Sequence, residues 1–134
     1  MSAGPMTWTA GYEFALSGVK LLVDRGPGCE YRIVGHGPHQ DAVAFARHQL
    51  GLDACVELVP SASPDELREH VRWADVLVDM AVAPSPSGPM LDGLAADIHV
   101  ITTQPADYES GTVLAIPTRD PQALCDALAM ALDR

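Results

Sequence analysis

A chain of 134 residues with 48% apolar content is one domain's worth of sequence and can supply a single core. Eighteen acids against eight Lys and Arg give a net charge of −10, which argues against nucleic acid and against an anionic membrane surface, since both are held by clustered cations. No apolar run approaches the roughly 20 residues of a membrane helix, and the opening MSAGPM lacks the basic start and apolar core of a secretion signal.

Residues 1–8 read as an extended lead-in. Over residues 9–25 the apolar positions Ala15, Leu16, Val19, Leu22 and Val23 recur at helical spacing, and Gly26-Pro27-Gly28 stops that helix. Tyr31 to Val34 is the first predicted strand, closed by Gly35-His36-Gly37-Pro38. A helix over residues 40–50 follows, with Val43, Ala46 and Leu50 on one face and Gly51 as its stop. Val56 to Val59 is the second strand. Ser63-Pro64-Asp65-Glu66 supplies a cap, a first-turn proline and a capping-box glutamate for a helix whose inner stripe is Leu67, Val71 and Ala74. The third strand, Val76 to Val78, opens onto a Pro-, Ser- and Gly-rich loop at 81–89 and a short helix near 90–96. The fourth strand is Val100 to Thr102, and a polar loop at 104–111 leads to the fifth, Val113 to Ile116. Asp120 and Pro121 start a last helix that buries Leu124, Leu128 and Leu132.

Strands that are short apolar runs, alternating with amphipathic helices, predict an α/β fold with a parallel sheet covered on both faces. The three cysteines, Cys29, Cys55 and Cys125, are odd in number and widely spaced, which fits reduced thiols in a cytoplasmic protein.

In such a sheet ligands bind outside the carboxyl ends of the strands, and this rule selects the candidate residues. Gly35, His36, Gly37 and His39 follow the first strand. Their bland reading is a structural turn, and no convincing third ligand makes the histidines a metal site. Ser61 follows the second strand, where Ser63 is better read as a helix cap. Ser85, Ser87 and Gly88 precede a short helix whose N-terminus suits an anion. Asp92 lies in that helix and is equally a first-turn acid favoured by the helix dipole. Asp107, Tyr108 and Glu109 are solvated loop residues or an acid/base group at the rim. Arg119 is the one cation predicted beside a carboxyl end. Trp8 and Trp73 are packing residues or part of a partner surface. No cofactor is implied.

Several stretches, in order and spanning nearly the whole chain, resemble the C-terminal half of GT-B glycosyltransferases of family 4. Trp8-Thr9-Ala10-Gly11-Tyr12-Glu13-Phe14-Ala15-Leu16 is similar to the family's W-x-K-G-Y-E-x-A-L helix start, and Tyr31-Arg32-Ile33-Val34-Gly35-His36-Gly37-Pro38 to Y-x-I-V-G-D-G-P. Leu50-Gly51-Leu52 and Ala74-Asp75-Val76-Leu77 follow in register. Leu91-Asp92-Gly93-Leu94-Ala95 resembles L-E-A-M-A, and Ile116-Pro117-Thr118-Arg119-Asp120-Pro121 resembles V-P-P-R-D-P.

The resemblance implies a Rossmann-like domain that holds a sugar nucleotide, with Ser61 near the base and Asp92 near the ribose. It also implies departures. The acceptor-binding half and the first strand of the C-terminal half, with the basic residue after it, are missing from the match. The family's lysine is Ala10 here, and the first of its paired glutamates falls on Pro84. Losing a central strand predicts that the remaining five close up in the flavodoxin-like order 2-1-3-4-5. The alternative is that residues 1–8 or a second copy fill the gap, because unpaired buried backbone groups are costly.

Three functions remain open on this reading. The first is a glycosyltransferase-like domain, degenerate for transfer, that binds a nucleotide sugar or related small molecule, within a homodimer or beside a complementing subunit. The second is a small enzyme with acid/base chemistry rebuilt on His36, His39, Asp92 or Glu109. The third is a non-catalytic interaction module. A receiver domain is set aside, because Gly35-His36 and Pro117-Thr118 stand where its acids and lysine belong.

Overall fold

Each short apolar run becomes a strand. The computed structural model describes residues 1–26, 28–83, 98–103 and 113–132. Its strands are β1 (Ser2–Ala3), β2 (Tyr31–Val34), β3 (Val56–Val59), β4 (Val76–Asp79), β5 (His99–Thr102) and β6 (Val113–Ala115). Its helices are α1 (Tyr12–Asp24), α2 (Gln40–Gln49), α3 (Pro64–Trp73) and α4 (Pro121–Leu132), and a 3-10 turn, Trp8–Ala10, precedes α1. The helix expected over 9–25 is split because Gly11 takes a left-handed φ of 71°, a conformation that glycine adopts without steric cost. The short helix expected near 90–96, most of the loop at 81–89 and the loop at 104–111 lie outside the described residues.

The described strands form two parallel three-stranded sheets, β1-β2-β3 and β4-β5-β6. In the first, Ser2 pairs with Ile33 and Tyr31 with Val56. In the second, Asp79 pairs with Thr102 and Thr102 with Ala115. Met1 joins the two. Its α-amino group donates to Val76 O at 2.7 Å, and its carbonyl accepts from Val78 N at 2.8 Å. Along the row the strands therefore run β3-β2-β1-β4-β5-β6.

This corrects the expected five-stranded order 2-1-3-4-5. The strands at Tyr31–Val34 and Val76–Asp79 do not close up against each other, because residues 1–3 lie between them. The lead-in supplies the central strand itself. The physical reason is backbone satisfaction: two flanking strands offer unpaired donors and acceptors, and a short extended segment of the same chain answers both.

Side chains alternate across the sheet. Tyr31, Ile33, Val76, Val78 and Ile101 meet Leu16, Val19, Val43 and Leu124, so α1, α2 and α4 cover one face. Val34, Leu77 and Val100 meet Met1 and Val71, so α3 covers the other. Ser2 sits in the buried centre and is fully engaged. Its Oγ donates to Val78 O at 2.6 Å and accepts from the Tyr31 hydroxyl at 2.6 Å.

Candidate functional site

The strand row reverses direction of growth between β1 and β4, and the crevice above their carboxyl ends is the place where such sheets hold ligands. The described rim comprises Gly4 and Met6 after β1, Gly35 to His39 after β2, Pro60 and Ser61 after β3, Asp79 to Ala83 after β4, Thr103 after β5 and Ile116 to Arg119 after β6. The α1 N-terminus adjoins it, with Gly11 as a cap that provides no side-chain acceptor for the first-turn N–H groups.

Gly35 and Gly37 stand on this rim, but their open faces meet the chain itself. A Cβ on Gly35 would lie 1.9 Å from Gly4 O, and one on Gly37 would lie 2.6 Å from Met6 O. These glycines let residues 4–6 pass closely over the end of β2. His36 is exposed, and its Nδ1 donates to Pro60 O at 3.0 Å, since a carbonyl can only accept. His39 begins α2, fixed by a hydrogen bond from its own N–H to Met6 O at 3.0 Å, with its ring exposed. The two histidines are thus tied to different partners. Among the described residues no group of three or more His, Cys, Asp or Glu can hold a metal ion.

Ser61 is exposed on the rim, and Ser63 caps α3 through a capping box with Glu66. Ser85, Ser87, Gly88, Asp92 and Glu109 lie outside the described residues. Arg119 is exposed at the carboxyl end of β6, just before the Asp120 carboxylate that accepts from Ala123 N at 3.0 Å. Its electrostatic position is distinctive. Lys20, Arg25, Arg32, Arg47, Arg68 and Arg72 each sit in an ion pair with an acid. Among the described residues Arg119 is the cationic side chain without one.

One rim residue was not among the candidate site residues read from the sequence. Asp79 ends the apolar run Val76-Leu77-Val78. Its Oδ1 accepts from Ala81 N at 3.2 Å, while Oδ2 is buried without a partner. Burial pushes its carboxyl pKa above the ordinary value. Beside it Tyr12 donates to Gly4 O at 3.1 Å, and burial holds that phenol protonated.

A large cavity lies elsewhere. It measures about 1040 Å³ and opens at the amino ends of the strands, between Met1, Cys29, Tyr31, Cys55, Trp73 and Asp75. It sits where two-residue β1 stops short of the four-residue β2 and β4. That is the wrong end of a parallel sheet for a nucleotide.

The family model described as glycosyl transferases group 1 matches residues 1–134. The chain belongs to the group 1 glycosyl transferases. No curated protein sequence matches it. Among solved structures, the C-terminal domain of a group 1 glycosyl transferase from Francisella tularensis superposes with a TM-score of 0.83 at 18% identity, covering 99% of this chain and 74% of that one. A mutant of S. aureus TarM, in complex with fondaparinux, alpha-GlcNAc-glycerol and UDP, gives 0.88 at 13% identity, covering 99% and 28%. Anabaena HepE, in complex with UDP and glucose, gives 0.80 at 14% identity, covering 98% and 38%. At these identities the superpositions establish the Rossmann-like GT-B fold and nothing finer. This group 1 domain spans about a third of the TarM and HepE chains.

Proposed function

We propose that this chain is a glycosyltransferase-like domain that binds a nucleotide sugar in the carboxyl-end crevice and does not carry out ordinary glycosyl transfer by itself. It works within a larger assembly, as a homodimer or beside a complementing subunit, in the cytoplasm, where its three free thiols stay reduced. Among the described residues no helix is long and apolar enough to cross a membrane.

The observation that carries this reading is Arg119, a cation at the carboxyl end of the sheet that has no ion pair among the described residues. Such a group suits a phosphate, and the other described Lys and Arg side chains each pair with an acid. The same observation argues against transfer. A diphosphate leaving group needs several cations or oriented N–H donors, and Ala10 and Pro84 stand where the resemblance expects a lysine and a glutamate. UDP in the structures of TarM and HepE supports a uridine nucleotide as the first ligand to try.

The test is a thermal-shift and calorimetric screen against nucleotides, nucleotide sugars and sugar phosphates, since a ligand of the native state raises its melting temperature. A nucleotide sugar should raise it. Arg119→Ala should weaken that binding about tenfold, as loss of a charge-assisted hydrogen bond does, and Asp92→Ala should weaken it too. No shift with any of these ligands would overturn the proposal.

A further inference from the structure

Two of the three cysteines face the same space. Cys29 and Cys55 both border the cavity of about 1040 Å³ at the amino ends of the strands. Both are half-buried free thiols, and both pack against the cluster of buried residues covered by α1, α2 and α4. Cys125, in α4, is buried and does not border that cavity.

The strand register brings the two together. Cys29 stands two residues before Tyr31, the first residue of β2, and Cys55 one residue before Val56, the first of β3. Tyr31 pairs with Val56, and Tyr31 N donates to Cys55 O at 2.9 Å. Adjacent strands lie about 4.8 Å apart and rise about 3.3 Å per residue, so one step of offset separates the two Cα atoms by about 6 Å. Disulfides span Cα separations of about 4.4–6.8 Å. The electrostatics agree with this placement. Burial raises the Cys29 thiol pKa, and Cys55 raises it further through space, which requires proximity. The backbone leading into Cys29 also has room to adjust, since a Cβ added at Gly28 would meet nothing within 4 Å.

We propose that Cys29 and Cys55 are a reversible oxidation site that closes to an intrachain disulfide when the protein meets hydrogen peroxide. One thiol takes an oxygen atom from peroxide to become a sulfenic acid, and the peroxide O–O bond breaks with release of one water. The second thiol then attacks that sulfur, forms the S–S bond and releases a second water. Two electrons pass from the dithiol to the peroxide. A thiol reductant such as dithiothreitol restores both thiols by exchange.

Charge selects this fate over a mixed disulfide with glutathione. The carboxylates of Glu30 and Asp75 border the same cavity, and among the described residues no Lys or Arg does. An anionic tripeptide is repelled there, whereas a small neutral oxidant enters. The site lies at the opposite end of the strands from Arg119, so this inference does not depend on nucleotide binding.

The test treats the reduced full chain with a slight molar excess of hydrogen peroxide, alkylates it in denaturant and maps its peptides by mass spectrometry. The monomer should lose two hydrogens, take up an alkyl group only at Cys125, and yield a Cys29–Cys55 linked peptide that disappears with dithiothreitol. The oxidised monomer should melt at a higher temperature than the reduced one, because the link constrains the unfolded chain. Cys125→Ser should leave the link intact. Cys29→Ser and Cys55→Ser should each prevent it, and their melting curves in the reduced state show that they fold. Alkylation of all three cysteines after peroxide overturns the proposal. So does a link to Cys125 or to another chain, or sulfinic acid accumulating at either residue without a link. The peptide map of the unsubstituted chain decides the matter without any variant, and nucleotide affinity is read separately.

Discussion

Arg119 combines two properties at one residue. Among the described residues it lacks an ion partner, and it is the non-glycine residue with positive φ, at 55°. A side chain in that left-handed conformation costs roughly 1–2 kcal/mol, and residues held in such conformations cluster at functional sites. Arg119→Gly relieves the strain at some cost in unfolded-chain entropy, so it should stabilise the fold by about 0.5–1 kcal/mol. The same variant should lose about tenfold in nucleotide affinity. Urea denaturation and calorimetry on one preparation check both, and a variant that is destabilised and binds normally would contradict the assignment. Arg119 was legible in the sequence because a strand end and a helix cap fix its place locally. Asp79 was not. Its burial beside Tyr12 depends on how β1 and α1 close over β4, which no local pattern encodes.

Among the elements, α3 and β1 mark the two extremes of what local sequence can specify. Everything that starts α3 lies within four residues. Ser63 Oγ accepts from Glu66 N at 3.2 Å, the Glu66 carboxylate accepts from Ser63 N at 3.3 Å, and Pro64 fits the first turn. Such a start is readable without the fold, and Ser63→Ala should cost about 1 kcal/mol in a denaturant titration. By contrast, β1 is only Ser2–Ala3. Two small residues carry no periodicity, and nothing local distinguishes them from a frayed end. They form a strand because β2 and β4 present unmet hydrogen-bonding groups on either side. The strands at 31–34, 56–59 and 113–115 were legible as short, largely apolar runs, even though β3 and β6 are only partly buried. The site was less legible than the fold, because apposition of loop residues is a tertiary fact.

At the scale of the whole molecule, pH acts through groups buried at the centre. Burial pushes the Met1 α-amino pKa down from 8.0 to about 5. Between those values the unfolded chain binds more protons than the folded one, so stability falls as the solution is acidified through that window. The slope is about 1.4 kcal/mol per pH unit for one proton. Asp79 acts with the opposite sign: its raised pKa stabilises the fold below the ordinary carboxylate range, and that contribution is lost as pH rises. Urea denaturation of the 134-residue chain should therefore give a lower midpoint at pH 5.5 than at pH 8. Equal midpoints would mean that the amine is not buried in solution.

The position of β1 also governs when the molecule can be finished. Strands β2 and β3 are neighbours in sequence, and so are β4, β5 and β6. The central join couples Met1 to Val76 and Ser2 to Val78, contacts 75 and 76 residues apart. A join of such high sequence separation carries the loop-closure entropy that slows folding, so it should form after the rate-limiting step. Ser2→Ala leaves the Tyr31 hydroxyl and Val78 O without their partner and should cost about 1–3 kcal/mol. That loss should appear almost wholly as faster unfolding, with the folding rate little changed. During synthesis, residues 1–3 must wait for residues 76–78 before they find their place.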